Sequence, residues 1–299
     1  MALSGSRVIA KQAALPNVVI GLVAAGGLYS AYSYFQGSTT PRTVFGGGLT
    51  GNLTLQHTED VNHNTKRLRF AFPNAQDETG LTVVSSVLTF SWPKGSLTPA
   101  IRPYTPVGDL ANSALKAQPG FIDLMVKKYP NGKASTHIHS LQPGDSLFFA
   151  FPIKAYSWVP NRYDHVTLIA GGAGITPIYQ LIRGVLDNPK DRTKMTLVFG
   201  VNTERDLLMR EEFENYEKKF PGRFKIVYTV SQLNENSGFR KGHVTKELLK
   251  EVLPAYSSLT DTKVFVCGPP AMEGALTGGF GTSGILAELG YKKNQIFKF

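Results

Sequence analysis

The sequence has almost no cysteine. Among its 299 residues Cys267 is the single one, which excludes an intramolecular disulfide framework and a cysteine-rich metal site. The six histidines are scattered along the chain. His137 and His139 lie two residues apart, but no acidic or thiol partner accompanies them, so we set a metal site aside.

Acidic residues are absent from the first 58 positions. Arg7, Lys11 and Arg42 are the charged residues there, and Glu59 is the first acid. That segment carries +3 of the formal net charge of +10, which leaves +7 on the remainder. The basic residues are dispersed and no nucleic-acid-binding motif occurs, so we expect no nucleic-acid partner. A solvated basic surface and a docking face for an acidic partner both remain open.

Residues 12–41 carry no charge, and residues 18–35 form one mostly apolar run. As a helix this run would span roughly 27 Å at about 1.5 Å per residue, close to the hydrocarbon thickness of a bilayer. Aromatic residues crowd one end, as at a membrane interface, and Arg7 and Lys11 flank the other. We therefore predict a transmembrane helix through residues 18–35 that contacts the lipid bilayer.

Three other interpretations of this segment compete: a cleaved secretory signal, a mitochondrial targeting sequence with or without cleavage, and a helix buried within the fold. The aromatic end fits a secretory signal poorly. Basic, acid-free flanks with Ser4 and Ser6 favour mitochondria. Residues 37–48 resemble a linker, which favours an anchor over a buried helix. We expect residues 1–42 to hold a targeting segment, a single-pass mitochondrial anchor and a linker, with the outer membrane favoured and a processed intermembrane-space form left open.

Short strands separated by turns follow in residues 43–162. Strands are predicted at 51–58, 65–72, 86–92, 101–105, 121–129 and 146–150. Their spacing, with little helical periodicity between them, predicts an antiparallel β-barrel domain.

Two stretches of this region suit a phosphate-bearing ligand. On a strand, Arg102 and Tyr104 point to one face, where a cation and a ring suit a diphosphate joined to a flat ring system, and the Thr105 hydroxyl can reach that ring. Further on, Gly132 lets the backbone approach a ligand, and Ser135 is predicted to cap a short helix whose free N–H groups attract phosphate.

Strands and helices alternate in residues 163–299. Apolar, β-branched strands are predicted at 165–170, 194–200, 224–230 and 263–267, and helices at 177–186, 210–219 and 245–253. A further strand is predicted at 295–299. This pattern predicts an α/β domain with a doubly wound parallel sheet.

A glycine-rich turn follows the first of these strands. The sequence Gly-Gly-Ala-Gly-Ile-Thr-Pro occupies residues 171–177, with Thr176 predicted as a helix N-cap and Pro177 as the first helical residue. Phosphate or a nucleotide edge is the expected guest of such a helix N-terminus. The acid that usually follows a dinucleotide fingerprint is absent. The strand ending at Cys267 brings Gly268 and Pro269 to the same edge of the sheet, and the role of this thiol stays open.

Four motifs together carry a family resemblance: residues 102–105, 132–135, 171–177 and 267–270. In this order and spacing they resemble the NADH–cytochrome b5 reductase family of ferredoxin-reductase-like flavoenzymes, over about residues 45–299. With its N-terminal anchor the chain resembles the fungal mitochondrial form. The resemblance implies a barrel that binds FAD, an α/β domain that binds NADH, and the flavin at their junction.

The resemblance also implies roles for individual residues. Those implied to hold FAD are Arg102, Pro103, Tyr104, Thr105, Lys127, Tyr129, Gly132, Lys133, Ala134 and Ser135. Those implied near nicotinamide and flavin are Gly172, Gly174, Thr176, Pro177, Cys267, Gly268, Pro269 and Phe299. Thr105, Thr176 and Cys267 are the predicted catalytic residues.

Two positions depart from the family pattern. Ala134 stands where the family usually has Met, and Ser231 where it usually has Asp. A carboxylate at position 231 would repel a 2′-phosphate, so its absence leaves NADPH open beside the favoured NADH. Arg240 and Lys241 lie downstream, where they could reach such a phosphate.

The resemblance predicts that FAD is reduced by hydride and that electrons then pass singly to a haem protein, with an acidic cytochrome b5 favoured. We expect a monomer. A quinone or ferric acceptor, and a membrane-tethered nucleotide-binding protein without redox activity, are the alternatives.

Overall fold

The computed structural model describes residues 41–46, 50–108, 119–232, 238–254, 261–279 and 281–299. No helix within these ranges is long and apolar enough to cross a membrane. The predicted anchor at residues 18–35 lies outside them.

Residues 50–154 build an antiparallel sheet of six strands in the order β4-β3-β6-β1-β2-β5. The strands are β1 (Gly51–Asn62), β2 (Thr65–Ala71), β3 (Ser85–Ser91), β4 (Ala100–Tyr104), β5 (Phe121–Lys127) and β6 (Ser146–Lys154). Buried and exposed residues alternate along β1 and β3, which places one face of each strand in an apolar core.

The two edge strands of this sheet approach each other. Pro106, just after β4, forms an antiparallel bridge with Leu124 of β5, which closes the sheet on itself. Helix α1 (Lys133–Ser140) contacts both edge strands and places Ile138 in the core. The predicted antiparallel architecture is confirmed, and α1 blocks the gap between β4 and β5.

The second sheet contains six parallel strands in the order β10-β9-β8-β7-β11-β12. They are β7 (His165–Gly171), β8 (Lys194–Val201), β9 (Phe224–Val230), β10 (Arg240–Lys241), β11 (Thr262–Cys267) and β12 (Ile296–Lys298). Every residue of β7 is buried, because separate apolar clusters cover the two faces of the sheet. The predicted parallel sheet is confirmed.

Helices cover both faces of the parallel sheet. They are α2 (Ile175–Leu186), α3 (Arg210–Lys219), α4 (Lys246–Val252), α5 (Pro270–Thr277) and α6 (Ile285–Glu288). Residues of α2 and α3 belong to the cluster on one face, and residues of α4, α5 and α6 to the cluster on the other.

The two sheets are joined through α2. The buried Gln180 side chain accepts a hydrogen bond from the Ser85 amide (3.1 Å) and donates one to the Pro106 carbonyl (2.7 Å). Gly184 lies so close to the first sheet that an added Cβ would approach Val83 Cγ1 to 2.7 Å. The Gln180 contact holds the end of β4 against α2, the helix that begins beyond the carboxyl end of β7.

Candidate functional site

Strand β4 places Arg102 and Tyr104 on one face, opposite Ile101 and Pro103. Burial raises the pKa of Tyr104 to about 12, and the nearby Arg102 guanidinium opposes the shift only in part, so the phenol is neutral at physiological pH. The guanidinium of Arg102 is exposed and donates to the Ile101 carbonyl (2.7 Å). The predicted pairing of a cation with a ring therefore exists on this strand.

Thr105 follows directly and is buried. Its hydroxyl is hydrogen-bonded to the Ser86 hydroxyl (2.8 Å). The predicted contact of Thr105 with a ring ligand stays a prediction, since this oxygen already has a partner within the protein.

The loop before α1 differs from the prediction. Helix α1 begins at Lys133 with Gly132 as its N-cap, so the prediction that Ser135 caps the helix is wrong. Ser135 instead lies inside the first turn, where its buried hydroxyl donates to the Gly132 carbonyl (3.1 Å) and accepts from the Tyr129 amide (3.2 Å). The side-chain oxygen that caps a helix belongs to the residue before its first turn, which here is a glycine.

The start of α1 nevertheless has amides that find no hydrogen-bond partner in the described part of the chain. Thr136 donates the first helical hydrogen bond, to the Gly132 carbonyl (2.9 Å), so the amides of Lys133, Ala134 and Ser135 precede it. The Lys133 side chain is exposed beside them, whereas Ala134 is buried. An anion at this helix end would meet amide hydrogens and an ammonium group.

Tyr129 connects the two sheets. Its side chain is 47% exposed, yet its pKa is raised, first by burial of the phenol and then by the nearby Cys267, while a hydrogen bond with the Ala173 backbone works in the opposite direction. It also lies close enough to Tyr104 to raise the pKa of that phenol. Tyr129 therefore stands between the β4 residues and the carboxyl edge of the second sheet.

Sequence reasoning missed Asp206. Its carboxylate, 5% exposed, accepts from Lys127 Nζ (2.7 Å) and Asn64 Nδ2 (2.8 Å) of the first sheet and from the Thr203 hydroxyl (2.7 Å) of its own turn. Burial alone would raise the pKa of Asp206, but these hydrogen bonds outweigh it and lower the pKa. Since the Lys127 ammonium is held by Asp206, its predicted place beside a cofactor stays a prediction.

The glycine turn after β7 also starts differently from the prediction. A short 3-10 turn, Gly172–Gly174, precedes α2, whose N-cap is Gly174 and whose first residue is Ile175. The predictions that Thr176 is the N-cap and Pro177 the first helical residue are therefore wrong. Thr176 is buried and its hydroxyl donates to the Ala173 carbonyl (3.2 Å), because the turn extends the helix toward the strand.

Two glycines of this turn are needed for different reasons. An added Cβ at Gly174 would lie 2.3 Å from the Cys267 carbonyl oxygen, so only glycine permits this approach of the turn to β11. Gly172 has a φ of +51°, and an added Cβ would meet nothing within 4 Å. Gly172 thus borders open space at the carboxyl edge, while Gly174 fixes the distance between two strand ends.

Cys267 ends β11 at that edge. Burial, helped by the nearby Glu273 carboxylate, raises the pKa of the thiol to about 12, so it is neutral at physiological pH. The Gly268 amide donates to Glu273 Oε1 (3.2 Å), and Pro269 is the exposed N-cap of α5. Met272, which the sequence did not single out, packs here: an added Cβ at Gly268 would lie 2.3 Å from its methyl carbon.

Phe299 packs in an aromatic cluster beside the same edge. Its ring is stacked at 5.9 Å on Phe265 of β11 and lies edge-on at 5.1 Å to Phe297 of β12. The Phe299 amide donates to the Val266 carbonyl (3.1 Å), which fixes this residue in register with β11.

These groups fit a dinucleotide. The Arg102 guanidinium, the first amides of α1 and the Lys133 ammonium suit phosphates. The phenol rings of Tyr104 and Tyr129 suit a flat ring system, and the open space beside Gly172 can admit a second ring. A pair of cofactors that exchange hydride requires this combination of two ring sites at one junction.

Comparison with known proteins supports the same conclusion. The family model of the oxidoreductase FAD-binding domain matches residues 52–158, and that of the oxidoreductase NAD-binding domain matches residues 168–277. NADH-cytochrome b5 reductase 2 of Ajellomyces capsulatus is 44% identical over 303 residues, which cover 97% of this chain and 92% of the relative. The protein of the same name from Botryotinia fuckeliana is 47% identical over 268 residues, which cover 86% and 75%.

Solved structures agree. The cytochrome b5 reductase domain of Ulva prolifera nitrate reductase superimposes with a TM-score of 0.74 at 25% identity and covers 87% of this chain and all of that domain. The CS-b5R domains of human Ncb5or, in the NAD⁺ form, give 0.69 at 25% identity over 85% of this chain and 70% of that one. This chain belongs to the NADH–cytochrome b5 reductase family.

Proposed function

We propose that this protein is a membrane-anchored FAD enzyme that takes hydride from NADH and passes electrons singly to cytochrome b5. One observation carries the proposal: the Tyr129 phenol is close enough to act electrostatically on Tyr104 of β4 and to be acted on by Cys267 of β11. Residues suited to a flavin and residues suited to a nicotinamide therefore lie next to each other. The names of the relatives supply the substrate class.

The protein's task in this reaction is binding and alignment. FAD, when bound, supplies the chemistry that links a two-electron hydride donor to a one-electron acceptor. Arg102 and the first amides of α1, with Lys133, hold its diphosphate, and the rings of Tyr104 and Tyr129 contact its ring system. The pKa of both phenols is raised, so neither Tyr104 nor Tyr129 presents an ionised group to the ring system at physiological pH.

The carboxyl edge of the second sheet holds the nicotinamide. Gly172 leaves room for the ring, and Gly174 sets the spacing between the glycine turn and β11. Cys267, Gly268 and Pro269 shape the opposite side, with Cys267 acting as a neutral thiol. The Thr105 hydroxyl is hydrogen-bonded to Ser86 and the Thr176 hydroxyl to the Ala173 carbonyl. These hydrogen bonds position the backbone around the rings.

NADPH remains a weaker substrate in this proposal. Ser231, half-buried just after β9, replaces the repelling carboxylate, but the Arg240 guanidinium is already paired with both oxygens of Glu251. Of the two neighbouring cations Arg240 and Lys241, Lys241 is therefore the one that can bind a 2′-phosphate.

The membrane anchor at residues 18–35, the mitochondrial outer membrane as its location and the monomeric state complete the proposal. The apolar, charge-free run and its basic flank support the anchor and its location. The excess positive charge of residues 59–299 supports docking of an acidic haem protein.

The first test is the visible spectrum of the purified full-length protein in detergent under anaerobic conditions, before and after NADH, with NADPH in parallel. Flavin bands that bleach faster with NADH support the proposal, and a colourless protein that ignores both nucleotides after FAD is supplied contradicts it. Turnover with cytochrome b5 should then fall as salt rises, whereas a salt-independent rate contradicts electrostatic docking.

A further inference from the structure

The outer surface of one half of the first sheet is apolar and aromatic. We define the aromatic face as Phe90, Trp92, Ile101, Phe148 and Phe151, which lie on or next to β3, β4 and β6. Trp92 is 51% exposed, Phe151 45% and Ile101 40%. The rings contact one another: Phe90 stacks on Trp92 at 6.1 Å and lies edge-on to Phe148 at 5.6 Å.

This surface departs from the ordinary pattern of an antiparallel sheet, whose solvent side is polar. Strand β1 of the same sheet follows that pattern, since buried Leu53 and Leu55 alternate with exposed Asn52 and Thr54. Contiguous exposed apolar surface of this kind marks a site of interaction with a protein or a membrane.

The two chain segments that carry the aromatic face hold charged side chains of one sign. Residues 85–104 and 146–163, which contain the face, hold no Asp or Glu. Apart from Arg102, which points to the other side of β4, their charged side chains are the cationic Lys94, Lys154 and Arg162. Leu97, at the tip of the loop between β3 and β4, is 99% exposed. Aromatic and aliphatic side chains on segments whose exposed charges include Lys94 and Lys154 suit an anionic lipid surface.

The position of the proposed anchor brings a bilayer within reach. Residues 36–40 separate the apolar run from the described fold, and five extended residues span at most about 18 Å. The start of the described chain contacts the strand that carries Phe151: the Thr50 hydroxyl donates to the Val44 carbonyl (3.4 Å), and the Thr50 amide donates to the Ala150 carbonyl of β6 (2.8 Å). One face of the protein must therefore lie near the lipid headgroups. The proposed anchor, residues 18–35, cannot itself cover the aromatic face while it is inserted in the bilayer.

We propose that the aromatic face rests on an anionic lipid surface and fixes the orientation of the anchored protein. This inference rests on the membrane anchor of the proposed function. Strand alternation places Arg102 and Tyr104 on the side of β4 opposite Ile101. Lipid contact through the face therefore leaves the cofactor site open to NADH and to a soluble haem domain.

The test uses the two tryptophans of the full-length protein. With Trp158→Phe, Trp92 becomes the sole emitter, and the protein is placed in phosphatidylcholine vesicles containing phosphatidylglycerol, with or without bromine on the upper acyl carbons. A side chain at the interface lies about 5–10 Å deep at the boundary between headgroups and acyl chains, which is close to the brominated carbons. Bromine quenches tryptophan fluorescence, so it should lower Trp92 emission about twofold. The matched control is Trp92→Phe, in which Trp158, held by Asp191 (2.8 Å), should emit equally in both vesicles.

A second variant keeps the inference open to refutation. Phe151→Asp, added to Trp158→Phe, puts a carboxylate in the face and should remove most of the bromine effect while NADH bleaches the flavin at an unchanged rate. If Trp158→Phe does not fold, the difference between the native protein and Trp92→Phe gives the same quantity.

Equal Trp92 emission in both vesicles overturns the inference. Trp92 that is shielded from aqueous iodide yet insensitive to bromine also overturns it, and shows that protein covers the face. Resistance of the protein to carbonate extraction reports on the anchor and flavin bleaching on the enzyme, so failure of either is distinct from failure of the lipid contact.

Discussion

Replacing Asp206 with asparagine should loosen the junction between the two sheets. The carboxylate accepts from Lys127 and Asn64 of one sheet and from Thr203 of the other, at 2.7–2.8 Å from each side-chain donor. An amide at this position would turn an NH2 group toward one of those donors and leave the Lys127 ammonium, 14% exposed, without its counter-charge.

The expected loss is about 2–4 kcal/mol, between the cost of one lost charge-assisted hydrogen bond and that of breaking a fully buried ion pair. For a chain of this size that lowers the midpoint of thermal unfolding by roughly 5–10 °C. Because the same contact aligns the two ring sites, the rate of flavin bleaching by NADH should also fall, by about tenfold.

The assay is thermal unfolding followed by flavin fluorescence at a fixed excess of FAD, for Asp206→Asn, Lys127→Met and the double variant. Residues in direct contact should show a coupling free energy of about 1–3 kcal/mol. A single variant within about 0.5 kcal/mol of the native protein, or strictly additive effects, would refute the reasoning.

The pH dependence has a definite sign. Since the pKa of Asp206 is lowered in the folded state, its contribution is fully present above the pKa of the unfolded chain, about 4, and is lost as the pH falls further. The difference between native protein and Asp206→Asn should be constant from about pH 5 to 8 and shrink in stronger acid.

Three further predictions concern single residues of the site. Gly174→Ala should lower the free energy of unfolding by about 2–3 kcal/mol, because its Cβ meets the Cys267 carbonyl. Gly200→Ala, whose added Cβ has its nearest contact at 3.4 Å, should lower it by less than about 1.5 kcal/mol, and chemical denaturation measures both. Tyr104→Leu should weaken FAD binding about tenfold by loss of the ring contact, while Tyr104→Phe should bind normally in a fluorescence titration, and equal losses would argue against stacking. Because the pKa of Cys267 is raised to about 12, its alkylation by iodoacetamide at pH 8 should be about a thousandfold slower than that of a free thiol, and rapid labelling would contradict its burial.

The sequence alone predicted both sheets. Apolar alternation in β1 and β3 follows from the two faces of a strand, and the continuous apolar run of β7 follows from burial on both faces. Both patterns involve residues that are adjacent in the sequence, so they can be recognised before the fold is known. The order of the four motifs likewise identified the family before any contact was known.

Helix starts and hydroxyl roles were less predictable. Ser135 and Thr176 are residue types that often cap helices, but each lies inside a first turn and bonds to a carbonyl three residues earlier. Sequence patterns locate a helix start only to within a few residues, because the strand that precedes it decides how early the turn closes.

The contacts across the junction were decided by the tertiary structure. Lys127 and Asp206 are 79 residues apart, and Asn64 and Asp206 are 142 apart, so no local pattern links them. The need for glycine at position 174 arises from the backbone of Cys267, and the aromatic face becomes visible only once three strands lie side by side. Sequence periodicity fixes which side of an element is buried, whereas the packing of distant elements alone determines which buried or exposed groups meet.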